Sequence, residues 1–182
     1  MAEQAVSVSV VIPAYNAAAT IAECMEALNK QSLPRDEYEV IVVDDGSTDE
    51  TAEIAADYGA RVLKQANSGP AAARNRGIAA ARGEIILFTD SDCAPAHDWI
   101  QEMIAPLSDP HIAGVKGVYR TRQRNLVARF IQIEYEDRYD HTASCKYVDF
   151  IDTYAAAYRR DALVASGGFN TCLLYTSPSP RD

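Results

Sequence analysis

The chain has 182 residues, of which 24% are charged, and its formal net charge is −9. This length suits one domain with a sizeable core, and the composition is that of a globular protein. The acidic balance and the lack of a continuous Lys/Arg run argue against nucleic acid as the main partner. No apolar run approaches the roughly 18 residues of a membrane-spanning helix, so we expect none in this chain.

The cysteine and histidine patterns predict neither a disulfide framework nor a metal centre. The cysteines are widely spaced and form no CxxC pair, which is typical of free thiols in a reducing compartment. The N-terminus carries Glu3 and no basic, apolar leader, so we expect no secretory signal and a cytoplasmic location. The residues concerned are Cys24, Cys93, Cys145, Cys172, His97, His111 and His141.

Strand and helix patterns alternate over the first half of the chain. Runs rich in β-branched residues predict strands, and apolar residues at helical spacing predict the helices between them. Capping-box patterns at 20–23 and 47–50 predict two helix starts, and Pro70 suits the first position of a third helix. Pro13 is expected to end the first strand. The predicted strands are 6–12, 40–43, 61–63 and 85–88, and the predicted helices are 20–31, 47–58 and 70–83.

The second half of the chain continues with less regular alternation. Leu126, Phe130 and Ile133 fall on one side of a predicted long helix, and Gly167 with Gly168 is expected to stop the last helix. The predicted elements are a helix at 97–107, a strand at 113–119, a helix at 125–141, a strand at 150–158 and a helix at 160–166.

Successive strand–helix units predict an α/β fold with a doubly wound, mostly parallel sheet and helices on both faces. Ligands of such sheets bind at the carboxyl ends of the strands. Polar residues fall at these predicted ends, whereas no GxGxxG follows the first strand, which argues against a dinucleotide dehydrogenase. The residues at the predicted edge are Tyr15, Asp44, Asp45, Asn67, Asp90 and Asp92.

Two carboxylates, Asp90 and Asp92, directly follow the apolar strand 85–88. Side chains two apart on an extended segment point the same way, so we expect these two to converge. Paired carboxylates repel each other unless a cation lies between them, and Mg²⁺ or Mn²⁺ on substrate phosphates is the usual one. The alternative interpretation is a polar turn after a strand.

Five motifs in this order resemble those of family 2 glycosyltransferases, which have a GT-A fold. They span about 6–170 of the chain, and we expect residues 1–170 to form the N-terminal and central part of the catalytic domain. The motifs are VSVVIPAYN at 8–16, VVDDGSTD at 42–49, GPAAARNRG at 69–77, DSD at 90–92, and YRR at 158–160 leading to GGF at 167–169.

The resemblance implies roles for residues at the predicted sheet edge. Asp45, beside Asp44 in the same motif, would accept a hydrogen bond from the imino N–H of the nucleotide base, a task that suits an ionised carboxylate. Tyr15 would stack on the base, with Pro13 forming a wall of the pocket. For Tyr15, the alternative is a tyrosine that only covers the edge of the sheet.

The same resemblance implies which residues lie near the diphosphate and the sugar of the donor. Arg74 would lie near the nucleotide, on a helix whose N-terminus favours anions. Its alternative role is a solvated helix charge. Asp90 would contact the ribose or the donor sugar, and Asp92 would hold Mg²⁺ or Mn²⁺ on the diphosphate.

The implied reaction is inverting transfer of a sugar from a nucleotide-diphosphate sugar to an acceptor hydroxyl. The family's general base lies in a Glu-Asp motif beyond the Gly-Gly-Phe turn, and 171–182 contains no such pair. We therefore expect this segment to be a non-native or disordered tail, the gene to be truncated, and the base to be missing. Asp149 and Asp152 lie upstream without a motif.

The resemblance also implies partners: a nucleotide-diphosphate sugar donor and a carbohydrate or lipid-linked acceptor, as in cell-envelope polysaccharide synthesis. Segments absent here would bring the full-length protein to the inner face of the membrane. One alternative is a nucleotide-sugar-binding fragment without turnover. Another is a sugar-1-phosphate nucleotidyltransferase, but that class needs a Gly-rich, basic loop after the first strand, and 13–16 offers none.

Overall fold

The computed structural model describes residues 6–118, 120–121, 125–143, 148 and 151–171, with 138 and 141–143 described by their backbone only. Within these ranges, strands and helices alternate as predicted over the first half of the chain. The strands are β1 (Val8–Ala14), β2 (Tyr38–Asp44), β3 (Arg61–Lys64), β4 (Ile85–Thr89), β5 (Gly114–Lys116) and β6 (Ala155–Arg159). The helices are α1 (Ile21–Asn29), α2 (Thr51–Asp57), α3 (Pro70–Ala80), α4 (Trp99–Ile104), α5 (Leu126–Ala143) and α6 (Arg160–Ala165), with a 3₁₀ helix at Ala105–Ser108.

The described strands form one sheet in the order β3-β2-β1-β4-β6-β5. The first four strands are mutually parallel, β6 runs antiparallel to β4, and β5 runs antiparallel to β6. The predicted α/β fold with a mostly parallel sheet is confirmed. The antiparallel β6 makes the sheet mixed, because it enters from the opposite end after the long segment that contains α5.

Helices cover both faces of the sheet, because side chains of the central strands alternate between two cores. Val10 packs into a core with α1, α2 and α4, whereas Val11 packs into a second core with α3 and α6. Both valines are fully buried. Burial on both faces explains why these strands read as continuous apolar runs rather than alternating ones.

The carboxyl ends of β1 and β2 meet at one edge, where Ala14 pairs with Asp44 in register. The backbone N–H of Asp45 then donates to the carbonyl of Ala14 at 2.8 Å, so the two loops leave the sheet together. The parallel β4 lies on the other side of β1 and ends at the same edge. The residues that follow these strands are thereby brought together.

The expected end of β1 at Pro13 is wrong, since the strand continues to Ala14. Pairing with β4 ends at Val11, whereas pairing with β2 continues through Pro13. At Pro13 the strand therefore has a neighbour on one side only, and a residue without an N–H is tolerated at such a position.

Both predicted capping boxes are also wrong. The Thr20 hydroxyl donates to the carbonyl of Ala17 at 3.3 Å, and α1 begins at Ile21 without a side-chain cap. The Ser47 hydroxyl accepts the N–H of Asn16 at 3.0 Å, so it is used between two loops and α2 begins only at Thr51. In both cases a tertiary or turn contact competes with the local cap.

Several other boundaries differ from the expected ones. The segment predicted as one helix at 97–107 is α4 followed by the 3₁₀ helix, because Pro106 has no N–H to continue an α-helical ladder. Strands β5 and β6 are shorter than predicted, and parts of both predicted ranges, like 172–182, lie outside the described residues. Gly59 ends the second helical segment with φ of +83°.

None of the described helices is both long and apolar enough to cross a membrane.

Helix α3 packs directly on β1 through Gly77. A Cβ atom at this position would lie 2.2 Å from Cγ1 of Val11, so a larger residue fits only if the helix or the Val11 side chain moves. Ala73 and Ile78, on the same helix, are buried in the core beside it. The glycine therefore sets the distance between the sheet and the helix that carries Arg74.

We expect Gly77→Ala to lower the free energy of unfolding by about 1–3 kcal/mol, the usual range for overpacking. The loss should occur although alanine favours a helix by about 1 kcal/mol over glycine. Denaturant unfolding of the single variants and of Gly77→Ala/Val11→Ala measures the coupling. Removal of the Val11 methyl groups should reduce the penalty at Gly77, and strictly additive effects would contradict the proposed contact.

Candidate active site

The carboxylate of Asp45 holds the loop that precedes α3. Its Oδ1 accepts hydrogen bonds from Nε2 of Gln65 at 2.7 Å and from the N–H of Ser68 at 2.9 Å. Its Oδ2 accepts the N–H of Gly69 at 2.8 Å, and the residue is only 4% exposed. Asp45 thus fixes the start of α3 against the end of β2.

Gly46 allows this loop to approach closely. Its φ is +80°, and a Cβ atom there would lie 2.9 Å from the backbone nitrogen of Asn67. Any other residue at 46 would be strained and would also push the 65–69 loop away. Asn67 is thereby placed at the expected edge of the sheet. Its backbone, rather than its side-chain amide, lies closest to Gly46.

The loops after β1 and β2 are joined through Asn16, which has a φ of +48°. Its Oδ1 accepts the N–H of Thr48 at 2.9 Å. Asp44 closes the second loop locally, because its Oδ1 accepts the N–H of Ser47 at 3.0 Å. Tyr15 lies between these anchored residues, and 53% of it is exposed. The edge therefore presents an accessible aromatic ring on a fixed backbone.

Arg74 forms an ion pair with Asp90, with 2.9 Å between Nη2 and Oδ1. The arginine side chain is only 12% exposed, so the alternative of a solvated helix charge is wrong. Burial raises the pKa of Asp90, Arg74 opposes this shift, and the charge of Asp92 adds to it. Within the described part of the chain, the buried Nε of Arg74 has no hydrogen-bond partner.

The segment after β4 is a turn, not an extended continuation of the strand. The strand ends at Thr89, and the N–H of Cys93 donates to the carbonyl of Asp90 at 3.1 Å. Asp90 and Asp92 therefore do not lie on an extended segment, and the convergence expected from strand alternation is wrong for these two residues. Asp90 is engaged by α3, whereas Asp92 lines a cavity bounded by α4 and β5.

This cavity has a volume of about 750 Å³ and a mixed lining. Aromatic and charged side chains face it together, which is typical of a site for a polar ligand with a flat ring or sugar face. Lys116 of its wall forms an ion pair with Asp152 at 2.8 Å. The polar and aromatic residues of the lining include Glu23, Asp92, Asp98, Trp99, Glu102, Lys116, Arg120 and Tyr154.

The side chains near Asp92 could hold a hard divalent cation only together with oxygen atoms of a bound substrate. No group of three or more Asp, Glu, His or Cys side chains in the described ranges could hold a metal ion unaided. Burial raises the pKa of the neighbouring Cys93 thiol to about 11, so without a bound cation this sulfur is a neutral thiol. Carboxylate oxygens and phosphate oxygens together are what Mg²⁺ prefers.

Two contacts at this edge were not predicted from the sequence. The side chain of Asn75 accepts the N–H of Phe169 and donates to its carbonyl, both at 2.8 Å. The ring of Phe169 packs edge-on against Phe88, with centroids 5.2 Å apart, and Arg74 lies 5.9 Å above it. The Gly-Gly-Phe turn is thus held by α3. In the sequence, the only indication of this contact is that Asn75 and Phe169 both belong to the five motifs.

Of the two upstream acids, Asp149 and Asp152, the structure describes Asp152. Asp149 lies outside the described residues. Asp152 is neutralised by Lys116 and also accepts a hydrogen bond from the Tyr154 hydroxyl at 3.2 Å. Burial, followed by the hydroxyl of Tyr139, raises the pKa of Tyr154.

Residues 9–166 match the family described as Glycosyl transferase family 2. The chain belongs to this family. Glycosyltransferase AglE from Haloferax volcanii is 38% identical over 116 residues, which cover 60% of this chain and 38% of that protein. The sequence therefore spans well under half of this family member, and the resemblance stated from the five motifs is confirmed.

Solved structures share the fold. The mannosyltransferase PcManGT from Pyrobaculum calidifontis, in complex with GDP-Man and Mn²⁺, aligns with a TM-score of 0.76 at 29% identity, over 91% of this chain and 48% of that one. Residues 1–349 of S. aureus TarS, in complex with UDP, align with a TM-score of 0.73 at 26% identity, over 93% of this chain and 52% of that one. Both relatives hold a nucleotide.

The contacts of Asp45 predict two effects of Asp45→Ala. We expect the free energy of unfolding to fall by about 1–3 kcal/mol, because the N–H groups of Ser68 and Gly69 lose a charged acceptor. We expect the affinity for UDP or GDP to fall as well, by about 1–3 kcal/mol. Thermal unfolding and titration calorimetry measure the two effects separately.

Asp49 provides the matched control, because its carboxylate also accepts backbone N–H groups, those of Ala18 and Thr51. Asp49→Ala should lower the melting temperature and leave nucleotide affinity unchanged. Unaltered affinity in Asp45→Ala would show that Asp45 is a loop anchor only.

Proposed function

We propose that this chain binds a nucleotide-diphosphate sugar along the edge formed by β1, β2 and β4 and takes part in inverting transfer of the sugar to an acceptor hydroxyl. The observation that carries the proposal is the arrangement of Tyr15, Asp45 and the Arg74–Asp90 pair at one edge of a family 2 domain. The nucleotides bound to PcManGT and TarS support a nucleotide donor for this fold.

The base of the nucleotide would lie between Tyr15 and Asp45. The exposed ring of Tyr15 offers a stacking surface beside Pro13. An ionised carboxylate has about four lone-pair sites, and Asp45 uses three of them within the chain. The remaining site, on Oδ2, would accept the imino N–H of the base.

The diphosphate would be bound between Arg74 and Asp92. The ion pair with Asp90 already offsets the charge of Arg74, so the guanidinium alone cannot balance two phosphates. Asp92, on the cavity wall, would hold Mg²⁺ or Mn²⁺ together with phosphate oxygens. When bound, the ion neutralises the charge that develops on the leaving diphosphate. The Mn²⁺ in the PcManGT complex supports this choice.

The sugar and the acceptor would occupy the cavity beside Asp92. In the reaction, an acceptor oxygen attacks the anomeric carbon, the bond from that carbon to the diphosphate oxygen breaks, and the acceptor proton passes to a carboxylate base. Trp99 on the wall would pack against a sugar face, and we propose that the acceptor is a carbohydrate or a lipid-linked glycan of the cell envelope.

A second candidate function is donor binding without turnover. One observation favours it: Asp152, the described upstream acid, is paired with Lys116 and hydrogen-bonded to Tyr154. Both contacts are made by its Oδ2, so this oxygen is not free to receive the proton of an acceptor hydroxyl. The two functions share the nucleotide site and differ only in chemistry.

The metal proposal predicts that Asp92→Ala abolishes the Mn²⁺-dependent part of UDP or GDP affinity and leaves the fold unchanged. Titration calorimetry with and without Mn²⁺ measures the difference. Asp98→Ala is the control, since Asp98 lines the same cavity and is not proposed to touch the diphosphate. Equal Mn²⁺ dependence in wild type and Asp92→Ala would refute the assignment.

Release of nucleoside diphosphate from UDP-GlcNAc or GDP-mannose distinguishes transfer from binding. We expect slow release with water as acceptor, loss of this release in Asp92→Ala, and no change in Asp152→Asn, because the paired Asp152 is not a base. Binding without any release would establish the second candidate function. A large loss of release in Asp152→Asn would instead identify Asp152 as the base, where general-base help is worth roughly 10²–10⁴ in rate.

A further inference from the structure

Exposed apolar side chains are concentrated on the first two turns of α5. Among the described residues, ten large hydrophobic side chains are exposed, and five of these lie within 126–133. Leu126 is 85% exposed, Phe130 71% and Ile133 62%, and Val127 and Ile131 complete the set. Such a contiguous apolar patch marks an interaction surface rather than ordinary surface composition.

These five side chains form a continuous face. At 100° per residue they occupy an arc of about 160° around the helix, in the order Ile133, Leu126, Phe130, Val127 and Ile131. Farther along the helix, Glu134 and Asp137 fall within the same arc and end the apolar region. The face therefore belongs to the N-terminal end of α5 and not to its whole length.

The charge around this face is opposite to that of the rest of the chain. Segment 111–133 contains five Lys and Arg residues and no Asp or Glu, although the whole chain carries a net charge of −9. The cations are separated by other residues, so they form no continuous run. Arg120 and Arg129 are exposed, and the positive end of the α5 dipole lies at Leu126.

We propose that the apolar face at 126–133, bordered by Arg129 on the same helix and preceded by a segment that carries Lys and Arg but no Asp or Glu, binds the surface of an anionic lipid membrane. An apolar helix face bordered by cations is the combination that inserts into the boundary between headgroups and acyl chains. A protein partner of neutral charge would explain the exposed apolar side chains but not the absence of Asp and Glu from 111–133. An anionic membrane surface explains both features. This inference goes beyond the proposed function and does not depend on it.

Stable membrane binding requires both the apolar face and the basic residues. Partial burial of Leu126, Phe130 and Ile133 in the interface supplies a hydrophobic contribution at about 25 cal/mol per Å². Each basic residue near an anionic surface adds a contribution that screening by salt removes. Since the remainder of the chain is acidic, binding should occur in one orientation, with α5 toward the lipid.

Flotation of the chain with lipid vesicles tests the proposal. We expect the protein to float with phosphatidylcholine vesicles that contain about one third phosphatidylglycerol, to float poorly with pure phosphatidylcholine, and to dissociate at high salt. Phe130→Glu should abolish flotation. Arg129→Glu should weaken binding at least about fivefold, the factor for one basic residue near such a surface.

Two variants serve as controls. Val164→Glu places the same charge on another exposed apolar residue, on α6, and Lys30→Glu makes the same charge reversal just after α1. Both should float like wild type. Equal flotation with neutral vesicles, or equal losses in the control variants, would overturn the proposal. So would a dimer that depends on Phe130 in analytical ultracentrifugation and fails to bind vesicles, because the face would then cover a second copy.

Discussion

The candidate site depends on the carboxylate of Asp45. Three hydrogen bonds from this group fix the loop before α3 and hence the start of that helix. Helix α3 in turn holds Asp90 through Arg74 and the Gly-Gly-Phe turn through Asn75. One carboxylate at the end of β2 therefore helps to position residues that follow β4 and α6. The close contact of Gly77 with Val11 keeps the helix near enough to the sheet for this to work.

Charge at this edge constrains what it can bind. Asp44 ends β2, Asp45 follows it, and Asp90 and Asp92 follow β4; Arg74 is already paired with Asp90. Burial and the charge of Asp92 both raise the pKa of Asp90, so another anion would be unfavourable there without a cation. The concentration of negative charge therefore favours a divalent ion for any diphosphate ligand of the edge, whatever family the chain belongs to.

The sequence predicted the sheet, and the edge where its polar strand ends meet, because apolar runs and their polar ends are local patterns. It failed where distant groups compete for local donors and acceptors: the Ser47 hydroxyl bonds to Asn16 and not to its own helix. The Asn75 contact with Phe169 joins residues 94 apart, so no spacing rule could reveal it. The turn at Asp90 also could not be read from alternation, because alternation presumes an extended backbone.

The two proposals meet at the wall of one cavity. Arg120 and Lys116 line the cavity beside Asp92, and both belong to the acid-free segment that leads into α5. A membrane bound at the start of α5 would therefore lie near the acceptor side of the proposed transferase site. An acceptor anchored in that membrane would then need to diffuse only within the surface to reach the cavity. Binding at the surface would also account for the absence of Asp and Glu from 111–133 in a chain of net charge −9.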